Sequence, residues 1–247
     1  MFFAVGAAVT VVCCASMSTM DEMRMPGGWT MSMVWMRMPG QSWPAAAASF
    51  LGMWTAMMVS MMLPSLAPTL WRYRRDIAMT GETRLARLTA LVGLGYFSIW
   101  AMLGMPVFAS GVLLAALEMK LPVLARAIPV AVGGVVTVAG ALQFTPWKAH
   151  QLACCRMPTM CSSIFPTGVG AAWRHGLRLG LRCAGCCAGL TAALLVVGVM
   201  NLSAMTVVTA AITVERLAPA GVRVAQAVGL VIVPGGLLLI VRASGLG

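Results

Sequence analysis

The residues of this chain best equipped for chemistry carry sulfur. Its 247 residues include 22 methionines and eight cysteines against two histidines. Thioethers and thiolates are soft ligands that favour Cu(I), whereas imidazole and carboxylate suit Zn, Ni or Mn. The sulfur falls into three groups. The first is Met53, Met57, Met58, Met61 and Met62, in and beside the apolar stretch Trp54 to Pro64. On a helix Met53, Met57 and Met61 form one stripe, and Met58 and Met62 the adjacent one. The second is the polar segment 17–44, with Met17, Met20, Met23 and Met25 followed by Met31, Met33, Met36 and Met38. Thioethers do not ionise, so such a segment can capture Cu(I) in an oxidising compartment where thiols form disulfides. The third is Cys154, Cys155 and Cys161, with His150 close by, together with Cys183, Cys186 and Cys187. Residues 183 and 187 share a helical face and 186 lies beside it.

Each group also has a plainer reading. Methionine is an adaptable core residue, and a free cysteine packs as a small hydrophobe. The Cys-x-x-Cys spacing equally suits a redox pair. Gln143, Asn201 and Glu215 stand singly in apolar surroundings and are expected to bond neighbouring helices, Asn201 as a helix cap.

The elements that position these groups follow from composition. The chain is 60% hydrophobic and 9% charged, whereas a soluble domain carries about a quarter charged residues. Lipid is then the expected outer solvent. The expected fold is an all-α polytopic membrane bundle, one domain over 1–247, with six or seven transmembrane spans of about 20 residues. Spans are expected near 2–19, 45–70, 88–117, 127–146, 176–200, 204–217 and 223–242, with Pro44 starting the second and Pro64 kinking it. The net charge of +11 would suggest nucleic acid in a soluble protein. Here the arginines gather between apolar runs, in segments 71–87 and 147–175, as the positive-inside bias produces. These segments are expected to be cytoplasmic loops, which puts the N-terminus inside and residues 17–44 outside, with no role for nucleic acid. Carboxylates are nearly absent from the spans, which argues against a proton relay of several acidic groups.

Trp54 with Met57-Met58 and Met61-Met62-Leu-Pro64, Lys148 with Cys154-Cys155-Arg156-Met-Pro158, Gly180-x-x-Cys183-Ala-Gly-Cys186-Cys187, Gly198-Val-Met200-Asn201 and Glu215-Arg216 together resemble a bacterial family of predicted metal-binding integral membrane proteins. The resemblance covers about residues 45–230. It implies a metal and a bacterial inner membrane, and it implies no reaction. Family members usually carry an aromatic residue after the Cys-Cys pair, where this chain has Ala188. The Met57/Met61 spacing is also similar to the Met-x-x-x-Met filter of eukaryotic copper transporters.

The expected function is therefore the handling of Cu(I), with zinc the less favoured ion: outer methionines collect it and inner cysteines receive it. A copper-loading assembly factor for a membrane enzyme is the alternative, and a membrane thiol oxidoreductase a further one; an enzyme is the less favoured class. Expected partners are the lipid bilayer and a metallochaperone or membrane cuproenzyme.

Overall fold

The computed structural model describes residues 23–24, 30–31, 35, 40–79, 81–156, 168–198 and 201–245. Seven helices make up the described fold: α1 Trp43–Ala78, α2 Leu85–Lys120, α3 Pro122–Leu142, α4 Pro146–Arg156, α5 Val169–Gly198, α6 Leu202–Leu217 and α7 Gly221–Ala243. A two-residue antiparallel pairing of β1 (Met23–Arg24) with β2 (Thr30–Met31) precedes them. The expected first span, 2–19, lies outside the described residues.

Four helices, α1, α2, α5 and α7, are long and apolar enough to cross a membrane, and a fifth span results if the pair 126–142 and 146–156, bent by 66°, counts as one. That is fewer than the six or seven expected. One expected span is not described, and α6 is 16 residues long, short of the roughly 20 needed to cross. Outward-facing apolar side chains are abundant, with Leu230 66% and Val231 75% exposed on α7.

Helix ends differ from expectation in a consistent way. α1 begins as Pro44 predicts, with the Ser42 hydroxyl accepting from the Ala45 amide. It then runs through Pro64 and Pro68 to Ala78, so Arg72, Arg74 and Arg75 sit on its last turns rather than in a loop. Hydropathy marks the apolar part of a helix, not its end, and arginine near a helix C-terminus is favoured by the helix dipole. The expected 147–175 loop likewise contains α4, which opens on Pro146 with the Thr145 hydroxyl accepting from the Lys148 amide. Asn201 caps a helix as expected, and it is the helix that follows: its side chain accepts from the Ala204 amide at 3.0 Å.

Close backbone approach builds the interior. α2 packs along α5, and α3 along α7. A side chain at Gly176 would collide with the Val92 backbone, and one at Gly236 with Thr137. Small residues of this kind let membrane helices approach closely. α1 packs on α2 and α6. It is pinned near its middle where the Trp54 indole N–H donates to the Trp100 carbonyl at 2.7 Å, on a surface left open by Gly104. One core cluster joins the methionines of α1 to the cysteines of α4 and α5.

Candidate metal centre

The methionine stripes of α1 face inward. Met57, Met58, Met61 and Met62 are all 3% exposed or less, and Met53 is half-buried against the same core. Met62 reaches furthest towards the cysteines, with its sulfur 4.0 Å from Cys183 Sγ. On α5, Cys183 and Cys187 lie one turn apart with their sulfurs 3.8 Å from each other. Cys186 sits between Cys187 and Cys155 of α4. The result is a continuous line of five buried sulfurs: Met62, Cys183, Cys187, Cys186, Cys155. All four cysteines in it are free thiols.

Polar groups close around this line. Cys183 Sγ accepts from the Tyr96 hydroxyl at 2.8 Å and from the Arg216 guanidinium at 3.2 Å. The same Arg216 nitrogen donates to the Ser65 hydroxyl at 2.8 Å, and Ser65 donates onward to the Met62 carbonyl at 3.0 Å. The neighbouring residue on α6, Glu215, is ion-paired with Lys148 at 2.7 Å and accepts from Gln143 at 3.0 Å. Lys148 also donates to the Cys186 carbonyl at 2.8 Å. Two consecutive residues of one helix therefore reach the thiol cluster, Arg216 directly at Cys183 and Glu215 through Lys148 at Cys186. A buried charge is costly unless paired or hydrogen-bonded, and Lys148, Glu215 and Arg216 each have such a partner.

The sulfur spacing can be compared with the size of a metal site. With metal–sulfur bonds of about 2.3 Å, sulfurs on one ion stand about 4.0 Å apart in a trigonal plane and about 3.8 Å apart at tetrahedral angles. The separations of Cys183 from Cys187 and from Met62 fall on these values. Among the described residues no three Cys, His or carboxylate side chains are arranged to hold a metal ion. Two thiols with a thioether beside one of them are the donor types a soft ion takes.

The family model described as PpoB2, copper chaperone, matches residues 51–239. The chain belongs to that family. No curated protein and no solved structure matches it. The match begins just before the α1 methionines and takes in all four free thiols, Lys148, Glu215 and Arg216; the methionine-rich segment 17–44 lies before it. Membership gives this PpoB2-family chain a copper-related role, and the sulfur line is where its described residues could meet that ion.

Not every expected ligand joins the cluster. Cys154 is disulfide-bonded, and exposed His150 faces it, with Nε2 3.8 Å from its sulfur. Both lie apart from the free thiols, because adjacent residues on α4 point about 100° apart and Cys155 takes the inward direction. Met31 lies in β2, its Cα paired with that of Met23. Met33, Met36, Met38 and Cys161 lie outside the described residues. Trp35, within the Met-rich segment, packs with its ring centroid 5.3 Å from that of Phe50 near the start of α1. Spacing in the sequence does not mark Tyr96, Ser65 or Arg216 as neighbours of the site. A buried-to-be cation beside an apolar helix was the available signal for Arg216; Tyr96 and Ser65 gave none.

Proposed function

We propose that this protein is an integral membrane copper chaperone that holds Cu(I) on Cys183, Cys187 and Met62 and passes it along the sulfur line to or from Cys155. The observation that carries the reading is that Cys183 Sγ lies 3.8 Å from the Cys187 sulfur and 4.0 Å from the Met62 sulfur in a chain of the copper chaperone family. Charge balance supports a monovalent ion. Lys148, Glu215 and Arg216 leave one positive charge beside the thiols. Two thiolates around Cu(I) leave one negative charge to match it, whereas the same pair around Zn(II) would be neutral. Cu(I) is cargo, and exchange between neighbouring sulfurs needs no redox step. The residues' part is to supply soft donors in series, exclude water by burial, and hold the sulfurs in place from α2, α4 and α6.

Membrane residence is supported by the long apolar helices and the exposed apolar side chains of α7. The arginines at the C-terminal end of α1 favour placing that end in the cytoplasm of a bacterial cell, with segment 17–44 outside. The distance fits: Phe50 to Arg72 is 22 residues of helix, about 33 Å, against a hydrocarbon core of about 30 Å. In this arrangement Met31, Met33, Met36 and Met38 supply outer thioethers, and Met53, Met57, Met58, Met61 and Met62 lead inward.

Burial of all four free thiols, Cys183 fully so and Cys155 3% exposed, disfavours a thiol oxidoreductase, which needs a pair that a substrate protein can reach. Delivery is favoured over bulk flux by the family's description. The test is copper content and flux together. Purified protein in lipid nanodiscs is expected to bind Cu(I) stoichiometrically and to lose it in Cys183→Ser/Cys187→Ser, with no sustained copper flux into proteoliposomes. Unchanged copper content in that double variant would overturn the site.

A further inference from the structure

The inner end of the sulfur line opens into a cleft that the copper site itself does not require. It has a volume of about 320 Å³ and lies between the C-terminal half of α1, the end of α4 and the α6–α7 turn; its lining includes Ser65, Arg72, Cys155, Arg156 and Arg216. Three observations set its chemistry. Among the described residues its lining contains three arginines and no carboxylate. Two of its residues belong to the sulfur centre: Cys155 is the last thiol of the line, and Arg216 donates to Cys183 Sγ. Its arginines are differently engaged. Arg156 is fixed by donating to the Pro219 carbonyl at 3.0 Å, while exposed Arg72 has no hydrogen-bond or ion-pair partner among the described residues.

We infer that this cleft receives a small anionic thiol carrying Cu(I), and that Cys155 exchanges the ion with it. The inference rests on the proposed copper site. A volume of about 320 Å³ is at the lower end for small-molecule clefts. Cys155 is 3% exposed at its floor, out of reach of a thiol fixed on a protein surface. A low-molecular-weight thiol bearing carboxylates fits both limits, because guanidinium groups recognise carboxylates through paired hydrogen bonds. Arg72 at the mouth attracts the carrier, and fixed Arg156 orients it. In the exchange, a copper–sulfur bond to the carrier breaks as one to Cys155 forms. The Cys155 thiol proton leaves on the carrier sulfur, and copper stays monovalent throughout. The step is reversible, so loading reads the same port that release would use.

The experiment compares Cu(I) loading of the reduced, full-length protein in nanodiscs from two carriers, glutathione (anionic) and cysteamine (cationic), by stopped-flow absorbance of the copper–thiolate bond. Wild type is expected to load faster from the glutathione complex. Arg72→Glu should lower the ratio of the glutathione rate to the cysteamine rate about five- to tenfold, the effect of two exposed-charge increments. A general folding defect would leave that ratio unchanged. S-methylglutathione, which keeps the carboxylates and lacks the thiol, should slow loading of wild type from the glutathione complex and have little effect on Arg72→Glu. Equal rates from both carriers in wild type, or a ratio indifferent to Arg72→Glu, would overturn the port while leaving the copper site standing. Failure of wild type to take copper from either carrier would instead overturn the copper site on which the port depends.

Discussion

Replacing Lys148 by methionine should destabilise the helix bundle more than any loss of surface charge could. The Lys148 ammonium lies 2.7 Å from Glu215, and the two side chains are 5% and 2% exposed. At that distance and an effective dielectric of about 20, the attraction is about 6 kcal/mol. Desolvating both groups offsets much of it, so the intact pair adds little net stability. Removing one partner is different, because the other stays buried and charged. Lys148→Met leaves Glu215 with the Gln143 amide, 3.0 Å away, and removes the donor to the Cys186 carbonyl. The expected cost is about 3–5 kcal/mol. Lys148→Met/Glu215→Gln should recover most of it, since no lone charge remains. Denaturant unfolding in matched nanodiscs, read as a double-mutant cycle, measures both values. A cost under about 1 kcal/mol for Lys148→Met, within the range of an exposed pair, would refute the reasoning. So would a double variant no more stable than the single one.

Three further outcomes follow from the same geometry. Met62→Leu nearly conserves volume and should cost under about 1.5 kcal/mol in stability, yet chelator competition should show weaker Cu(I) binding because a thioether ligand is lost. Gly176→Leu places a side chain against the Val92 backbone, which cannot yield as a flexible side chain could; denaturant unfolding should show a loss of at least about 1–3 kcal/mol. Copper at about a hundredfold over its dissociation constant should raise unfolding stability by about 2.7 kcal/mol, removal by a Cu(I) chelator should reverse the gain, and Cys183→Ser/Cys187→Ser should show no such shift.

Hydropathy locates the centres of α1, α2, α5 and α7 because lipid and protein interior reject charge alike. It misplaces their ends because the helices continue past the apolar stretch, as α1 does to Ala78. α4 escapes it altogether: Lys148, His150 and Arg156 make an 11-residue helix look like a polar loop. The sulfur groups were legible as groups, since helical spacing already puts Cys183 and Cys187 on one face. Which members meet was not. Met62 and Cys183 are 121 positions apart, and spacing within one helix says nothing about how far its neighbour is rotated. The choice of Cys155 over Cys154 is the same kind of fact. In the sequence Arg216 falls at the end of the span expected over 204–217. One nitrogen of its guanidinium instead joins Ser65 and Cys183, a role visible only once α1, α5 and α6 converge.

The central claim is that Cu(I) binds on Cys183, Cys187 and Met62. X-ray absorption at the copper edge of the loaded protein tests it most directly. The expected result is a monovalent ion with a sulfur-only shell of two or three ligands, losing one sulfur in Met62→Leu. Nitrogen or oxygen ligands in the first shell, or a shell unchanged in both Met62→Leu and Cys183→Ser/Cys187→Ser, would contradict it.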